Sequence, residues 1–269
     1  MDTQMQKFMP EGWSKTNQIF DLEQLKNAKE NGTIIQGFVE KCDENCNLHI
    51  SLGEKINGII PRNEMDAISF DDFGMTKQSI CKNKVNHFVQ FKVKDIGSDN
   101  SVLLSRKDAE KDVLNWIKSD LQPGMVVNGI VKNMRKYGVF VDIGGGITGL
   151  LHIEDISISR IKSPEERFFN GQKIKVVVKY IDKENDRVFL SHKELLGNWE
   201  ENVQNYQEKM IVDGTVKETD KYKNGIFIEL NPNLVGLAEY KDGLKYGQKV
   251  KVYIKKIIRD KKKIKLIIV

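Results

Sequence analysis

The chain has 269 residues, 39% hydrophobic and 30% charged, with a formal net charge of +5. Such a composition supplies apolar cores, which excludes a disordered acidic or basic tail, and no window approaches twenty uncharged apolar residues, which excludes a membrane span. Three cysteines are too few for a disulfide framework, and no apolar run follows a basic start, so the expected setting is a reducing cytoplasm.

The charge is uneven. Residues 1–120 hold sixteen Lys and Arg against nineteen Asp and Glu, residues 121–240 sixteen against seventeen, and residues 241–269 eleven against two. A basic excess confined to the last segment fits either a polyanionic partner such as nucleic acid or a solvated lysine-rich surface.

In chain order, residues 1–30 read as an N-terminal extension. After it, one phrase recurs three times: NGTIIQGFVEK around Gly37, PGMVVNGIVKN around Gly129 and KMIVDGTVKE around Gly214. About twenty residues after each comes a Gly-apolar-apolar step, at Gly58, Gly149 and Gly236. An apolar strand and a short closing strand (SVLLSRK, RVFLSHK, KIKLIIV) complete each copy. The opening glycines are 92 and 85 residues apart, the size of a small domain rather than a solenoid repeat. The copies occupy residues 31–106, 121–193 and 210–269.

The middle copy shows its strands most clearly. Met125–Arg135 is rich in β-branched residues. From Tyr137, which begins the next strand, to Ile143 the pattern alternates, with Val139, Val141 and Ile143 on one face and Phe140 and Asp142 on the other. Lys173–Tyr180 sets Ile174, Val176 and Val178 against Lys173, Lys175 and Lys179. Period two marks half-buried strands, and Gly144-Gly145-Gly146 marks a turn. Five short strands without helical crossovers close into a small barrel. Between copies, Arg106–Asp120 and His192–Met210 are rich in helix formers. They predict helical connectors at 107–120 and 194–209 that dock Trp116 and Trp199 on a neighbouring barrel core. The expected fold is all-β: three tandem five-stranded barrels joined by short α-helical connectors.

The middle copy resembles the S1 RNA-binding domain family throughout. It has the opening Gly-x-Val step, the aromatic-Gly-x-Phe-Val segment Tyr137–Val141, the Gly149-Leu150-Leu151-His152 corner and the closing Leu190-Ser191. The outer copies keep the same frame with weaker residues. The tandem array, with a Trp-bearing helix after each of its first two units, resembles the S1-type ribosomal proteins over about residues 31–269. The resemblance implies oligonucleotide-binding (OB-fold) barrels that hold single-stranded RNA or mRNA, a non-enzymatic role in or near translation, and no cofactor. An RNA-binding adaptor on a transcription or RNA-decay complex is the alternative.

Single strands are held by flat rings for stacking and by cations along the backbone path. By resemblance, Tyr137, Phe140, His152 and Arg187 fall on RNA-contact positions, and Asp182 on a nearby polar one. Arg135 and Lys136 precede the aromatic pair. In the third copy Phe227 matches Phe140, Asn224 stands for Tyr137 with Tyr222 nearby, Glu239 replaces His152, and Lys263 replaces Arg187. Contact there is expected to be weaker and mainly electrostatic. In the first copy Asn45, Leu48 and Pro61 stand roughly where the aromatics and the histidine belong. Protein docking, by resemblance on the small ribosomal subunit, or spacing is its expected role. The chain is expected to be a monomer.

No phosphate loop, Gly-x-Ser-x-Gly elbow or His-Glu-x-x-His pair occurs, so no catalytic residues are expected. Cys42, Cys46, His49 and Cys81 are irregularly spaced for zinc and read as reduced thiols beside an ordinary histidine; no metal is expected.

Overall fold

The structure, a computed structural model, describes residues 6–16, 18–53, 56–66, 75–219 and 225–269. They form three closed five-stranded barrels in a row. Barrel 1 comprises β1 (Ile35–Cys42), β2 (Leu48–Gly53), β3 (Ile56–Ile60), β4 (Phe88–Ile96) and β5 (Ser101–Ser105). Barrel 2 comprises β6 (Val126–Arg135), β7 (Gly138–Gly144), β8 (Ile147–His152), β9 (Lys173–Asp182) and β10 (Arg187–Ser191). Barrel 3 comprises β11 (Ile211–Thr219), β12 (Ile226–Asn231), β13 (Leu234–Ala238), β14 (Lys249–Ile258) and β15 (Lys263–Ile268). Every barrel has one order: first, second, third, fifth, fourth, and back to the first. The third and fifth strands pair in parallel. Among the described residues four α-helices accompany them: α1 (Leu22–Glu30), α2 (Gln78–Lys82), α3 (Arg106–Ser119) and α4 (Trp199–Val203). Among the described residues no helix is long and apolar enough to cross a membrane.

Alternation fills the barrels as read from the sequence. Val139, Val141, Ile143, Leu151, Val176, Val178, Val188 and Leu190 are buried together in barrel 2. The opening glycine of each copy has a packing cause. A Cβ on Gly129 would collide with Val141, one on Gly37 with Ile50, and one on Gly214 with Ile228, so the first strand could not approach the second.

Three register shifts recur among the described residues, one at the end of the second strand and two that bear on the surface. On the first strand of barrel 2, Lys132 is the extra residue between Val131 and Asn133. On the fourth, Lys179 is the extra residue between Val178 and Tyr180. The same shifts occur in barrels 1 and 3. A bulge switches the face to which the following residues point. Ile181 is thereby buried and Tyr180 turns outward, although Ile174, Val176 and Val178 continue in phase toward Tyr180.

The first connector forms as expected. Ser105 Oγ accepts from the Asp108 amide at 3.0 Å and caps α3. Trp116 joins the barrel 2 core, with Phe8 edge-on at 5.8 Å. The second connector is shorter than the helix expected over His192–Met210. Lys193–Leu196 is a 3-10 turn, and Gly197 at φ +79° breaks the path. Asn198 and Glu201 then form a capping box that restarts the five-residue α4. Trp199 packs against the barrel 3 core.

The N-terminal extension is a strap between barrels 1 and 2. Gln6 donates to the Ile143 carbonyl at 2.7 Å and accepts from the Asn128 amide at 2.7 Å. Gln90 donates to the Met9 carbonyl at 3.1 Å, and the Gly12 amide donates to Gln36 at 2.8 Å. At its centre Glu11 is buried, paired with Arg106 at 2.8 Å and Lys84 at 3.0 Å; Arg106 also pairs with Glu110. The Glu11 amide donates to Asp142 at 3.0 Å. Asp142, outward by alternation, is therefore buried beneath the strap, and it also accepts from the amides of Gly144 and Gly146. Gly144, Gly145 and Gly146 all have positive φ, and a Cβ on Gly146 would strike the Arg106 guanidinium.

Barrel 3 is pinned by Asn233. Its buried side chain accepts from the Ile158 amide at 3.0 Å and donates to the carbonyls of Lys193 at 2.7 Å and Gly197 at 2.9 Å. Asn233→Ala is expected to cost about 1–3 kcal/mol, because three backbone groups lose their partner at once. A fall in the urea midpoint at unchanged m-value checks this; an unchanged midpoint refutes it.

Candidate nucleic-acid interface

The outer surface of barrel 2 carries one continuous row of side chains. Strand register sets Asn133 beside Phe140, Phe140 beside Leu150, Leu150 beside Phe189, and Phe189 beside Tyr180. Three of the five are aromatic rings and a fourth is leucine. Tyr180 is 57% exposed, while Phe140, Leu150 and Phe189 are half-buried. The Tyr180 and Phe189 rings lie 5.9 Å apart and 32° from parallel.

Tyr137 adds a ring beside the row. It sits in the turn between β6 and β7 rather than in the strand, and is 51% exposed. Its ring meets Phe140 edge-on at 6.2 Å. The turn is held because the Tyr137 carbonyl accepts from the Ile153 amide at 2.9 Å. Gly138 is needed there, since a Cβ would lie 2.5 Å from the Leu151 carbonyl. His152 ends β8 directly across from Gly138, and its Nδ1 accepts from the Glu154 amide at 3.4 Å.

Cations surround the rings. Arg135 and Lys136 are exposed and form no ion pair among the described residues. Arg187 opens β10 two residues before Phe189, on the same face, and is exposed. Across from it, Asp182 builds the β9–β10 turn. Its carboxylate accepts from the Asn185 side chain at 2.8 Å and the Asn185 amide at 3.1 Å, and these bonds hold its carboxyl below the usual range. Lys179 and Lys193 are committed elsewhere, at 2.7 Å and 2.8 Å from Asp155. Burial pushes the Asp155 carboxyl up, but the two lysines outweigh it and the group stays below its ordinary value.

The structure thus brings Arg135, Lys136, Tyr137, Phe140 and His152 to one end of the row and Arg187 alongside its other half. The sequence reading missed Phe189 and Tyr180. Phe189 was legible, since it alternates with buried Val188 and Leu190. Tyr180 was hidden by the bulge at Lys179.

The same row in barrel 3 reads Phe227, Leu237, Lys265 and Lys256. Phe227 holds the place of Phe140, and Lys263 that of Arg187. Lys256, Lys263 and Lys265 are exposed and make no ion pair among the described residues. Glu239 stands at the His152 position, 4.0 Å from Lys255. Tyr222 and Asn224 lie outside the described residues.

Barrel 1 gives Lys41, His49, Ile59, Leu103 and Asp95. His49, not Leu48, therefore occupies the Phe140 position. Leu48 points inward and is fully buried, in phase with Ile50 and Leu52, because the β1–β2 hairpin is one residue longer than the β6–β7 hairpin: Cys42 pairs Leu48 where Met134 pairs Val139. Cys46 rather than Asn45 corresponds to Tyr137, at φ +64° and buried, and Pro61 stands at the His152 position as expected. His49 Nε2 lies 3.2 Å from the Asp43 carboxylate, and Asp95 pairs with Lys29 at 2.8 Å. Burial pushes the Cys81 thiol up to about 11. Among the described residues no three His, Cys, Asp or Glu side chains are placed to hold a metal.

Comparison with known proteins places this geometry. Residues 120–193, which are barrel 2, match the family model of the S1 RNA binding domain. Barrel 2 is thus an S1 domain, and barrels 1 and 3 repeat its strand order. Over most of its length the chain is similar to small ribosomal subunit protein bS1. It is 29% identical to that of Staphylococcus aureus (strain COL) over 223 residues, covering 80% of this chain and 53% of the relative. With bS1 of Staphylococcus epidermidis the identity is 28% over 261 residues, covering 91% and 63%. The chain spans about half the length of the first of these relatives. Among solved structures, GSP13 from Bacillus subtilis is 27% identical over 29% of this chain and 60% of its own, at a TM-score of 0.28.

Proposed function

We propose that this chain is a non-enzymatic protein that binds single-stranded RNA, including mRNA, on the outer face of barrel 2 and acts in or near translation on the small ribosomal subunit. The observation that carries this reading is the Tyr137–Phe140 ring pair at the surface, with Arg135 and Lys136 beside it and Arg187 along the other half of the row. Rings supply stacking that tolerates any base, and exposed cations meet the phosphates. Barrel 3 adds electrostatic contact through Lys256, Lys263 and Lys265. Barrel 1, whose row has no Phe, Tyr or Trp and ends on Asp95, is the docking module. The similarity to bS1 supports the ribosomal setting.

Co-sedimentation with small subunits that survives nuclease treatment tests the setting; sedimentation only with a decay or transcription complex refutes it. Salt dependence tests the cations. The log–log slope of affinity against salt should be about −0.7 per neutralised phosphate. Replacing Lys256, Lys263 and Lys265 together by glutamine should make it shallower by about one to two units. An unchanged slope removes barrel 3 from the RNA path.

A further inference from the structure

Tyr180 and Phe189 have no role in the core. Behind them Val178, Ile181, Val188 and Leu190 already fill the barrel. Two large rings on the outer surface leave apolar area in water, and the bulge at Lys179 is what turns Tyr180 there. Bulges commonly re-aim one side chain at a site. The two rings are tilted by only 32° and together present a broad flat surface.

Their position relates them to the rings of the first pair. Phe140 and Phe189 share one row with Leu150 between them. Adjacent strands lie about 4.8 Å apart, so the two ring pairs are separated by about 10 Å across an apolar floor. Each pair has its own cations: Arg135 and Lys136 beside Tyr137, and Arg187 two residues before Phe189. Two aromatic stations with cations at each suit a chain that repeats a flat ring and an anion. That is a single-stranded polynucleotide, not a mononucleotide or an acidic peptide. The corresponding positions are Lys256 and Lys265 in barrel 3, and Asp95 and Leu103 in barrel 1. Among the described residues the feature belongs to barrel 2.

We propose that Tyr180 and Phe189 form a second base-stacking station, which receives a different base of the same RNA strand that Tyr137 and Phe140 hold. This rests on the reading of barrel 2 as the RNA face. A strand engaged at both stations crosses β7, β8, β10 and β9 in that order.

The test uses the full chain and a fluorescein-labelled ten-nucleotide oligouridylate, with affinity read by anisotropy at one salt concentration. Tyr180→Leu and Phe189→Leu keep apolar bulk and remove the ring. Each should weaken binding about five- to a hundredfold, the value of one stacked base, and Tyr180→Phe should bind as the parent does. The losses from Phe140→Leu and Tyr180→Leu should multiply in the double variant, as for independent sites. Wild-type affinity in both leucine variants, with Phe140→Leu weakened, overturns the second station and leaves the RNA face standing. Unchanged affinity in all three overturns both. A double variant no weaker than the worse single one also overturns the proposal, since both pairs would then hold one base. If Phe189→Leu melts early, the mostly exposed Tyr180 decides the outcome.

Discussion

Arg106→Met is expected to destabilise the protein by about 3–5 kcal/mol, the cost of leaving buried charge unpaired. Arg106 is 2% exposed and holds two buried carboxylates, Glu11 and Glu110. Without the guanidinium these lose their shared cation, with Asp142 close by and Lys84 and Lys132 left as the cations acting on Glu11. The urea transition of the full chain measures the loss; a shift under 1 kcal/mol would refute the role given to the strap. Acid adds a second signature. Burial pushes the Glu11 carboxyl up, but Arg106 and Lys84 outweigh it and hold the group well below its ordinary value of 4.5. A depressed folded-state pKa contributes stability that is complete above 4.5 and lost as pH falls toward the folded value. Asp142 goes the other way: burial raises its pKa against the pull of Lys132, so its ionised form opposes folding and protonation relieves it. In Arg106→Met, Glu11 loses its main reason to stay ionised. The gap between variant and parent should therefore narrow from pH 7 to pH 4. A gap that widens on acidification contradicts this account.

Phe140→Ala and Tyr137→Ala should each cost about 1–3 kcal/mol of RNA affinity. Tyr137 stands in a turn with half its surface in water, so its loss should leave the melting temperature near the parent value. Phe140 is half-buried and its removal should cost about 1 kcal/mol of stability. Leu151→Ala supplies the contrast. That side chain is wholly buried, and its truncation should cost about 2–5 kcal/mol of stability while the folded fraction keeps its affinity. Anisotropy and thermal melts on the same preparations separate the two effects. A sharply lower melting temperature with intact binding in Phe140→Ala would place that ring in the core.

What could be read from the chain followed from how local each cause was. The barrels were legible because period two is imposed on each strand by its own neighbours, and because each opening glycine faces a branched side chain fixed by the same repeat. Phe140 was placed correctly on the outside for the same reason, and Phe227 by its match to Phe140; Tyr137, in phase with Val139, is outside because it stands in the turn. Tyr180 was not, since a bulge is a relation between two strands and leaves no mark in one. The barrel 1 alignment fell on Leu48 instead of His49 for another reason: the β1–β2 hairpin holds one residue more than the β6–β7 hairpin. Asp142 was misjudged for a different reason: alternation set it outward, and only a segment more than 130 residues earlier in the chain covers it. The second connector was overextended because its helix formers outweighed a single Gly197 in the reading, whereas in the chain that glycine breaks the path.

The strap also imposes an order in time. Gln6 bonds Ile143, which lies 137 positions further along the chain. At a synthesis rate of about 5–20 residues per second, its partner leaves the ribosome roughly 7–27 seconds after the strap does. Barrel 1 can close in that interval, and Arg106 reaches Glu11 before barrel 2 exists. The amide of Glu11 and the side chain of Gln6 must wait in water until the Gly144–Gly146 turn is made. The nascent protein thus passes through a half-fastened state, with one barrel closed and its leading segment still free on the side that barrel 2 will cover.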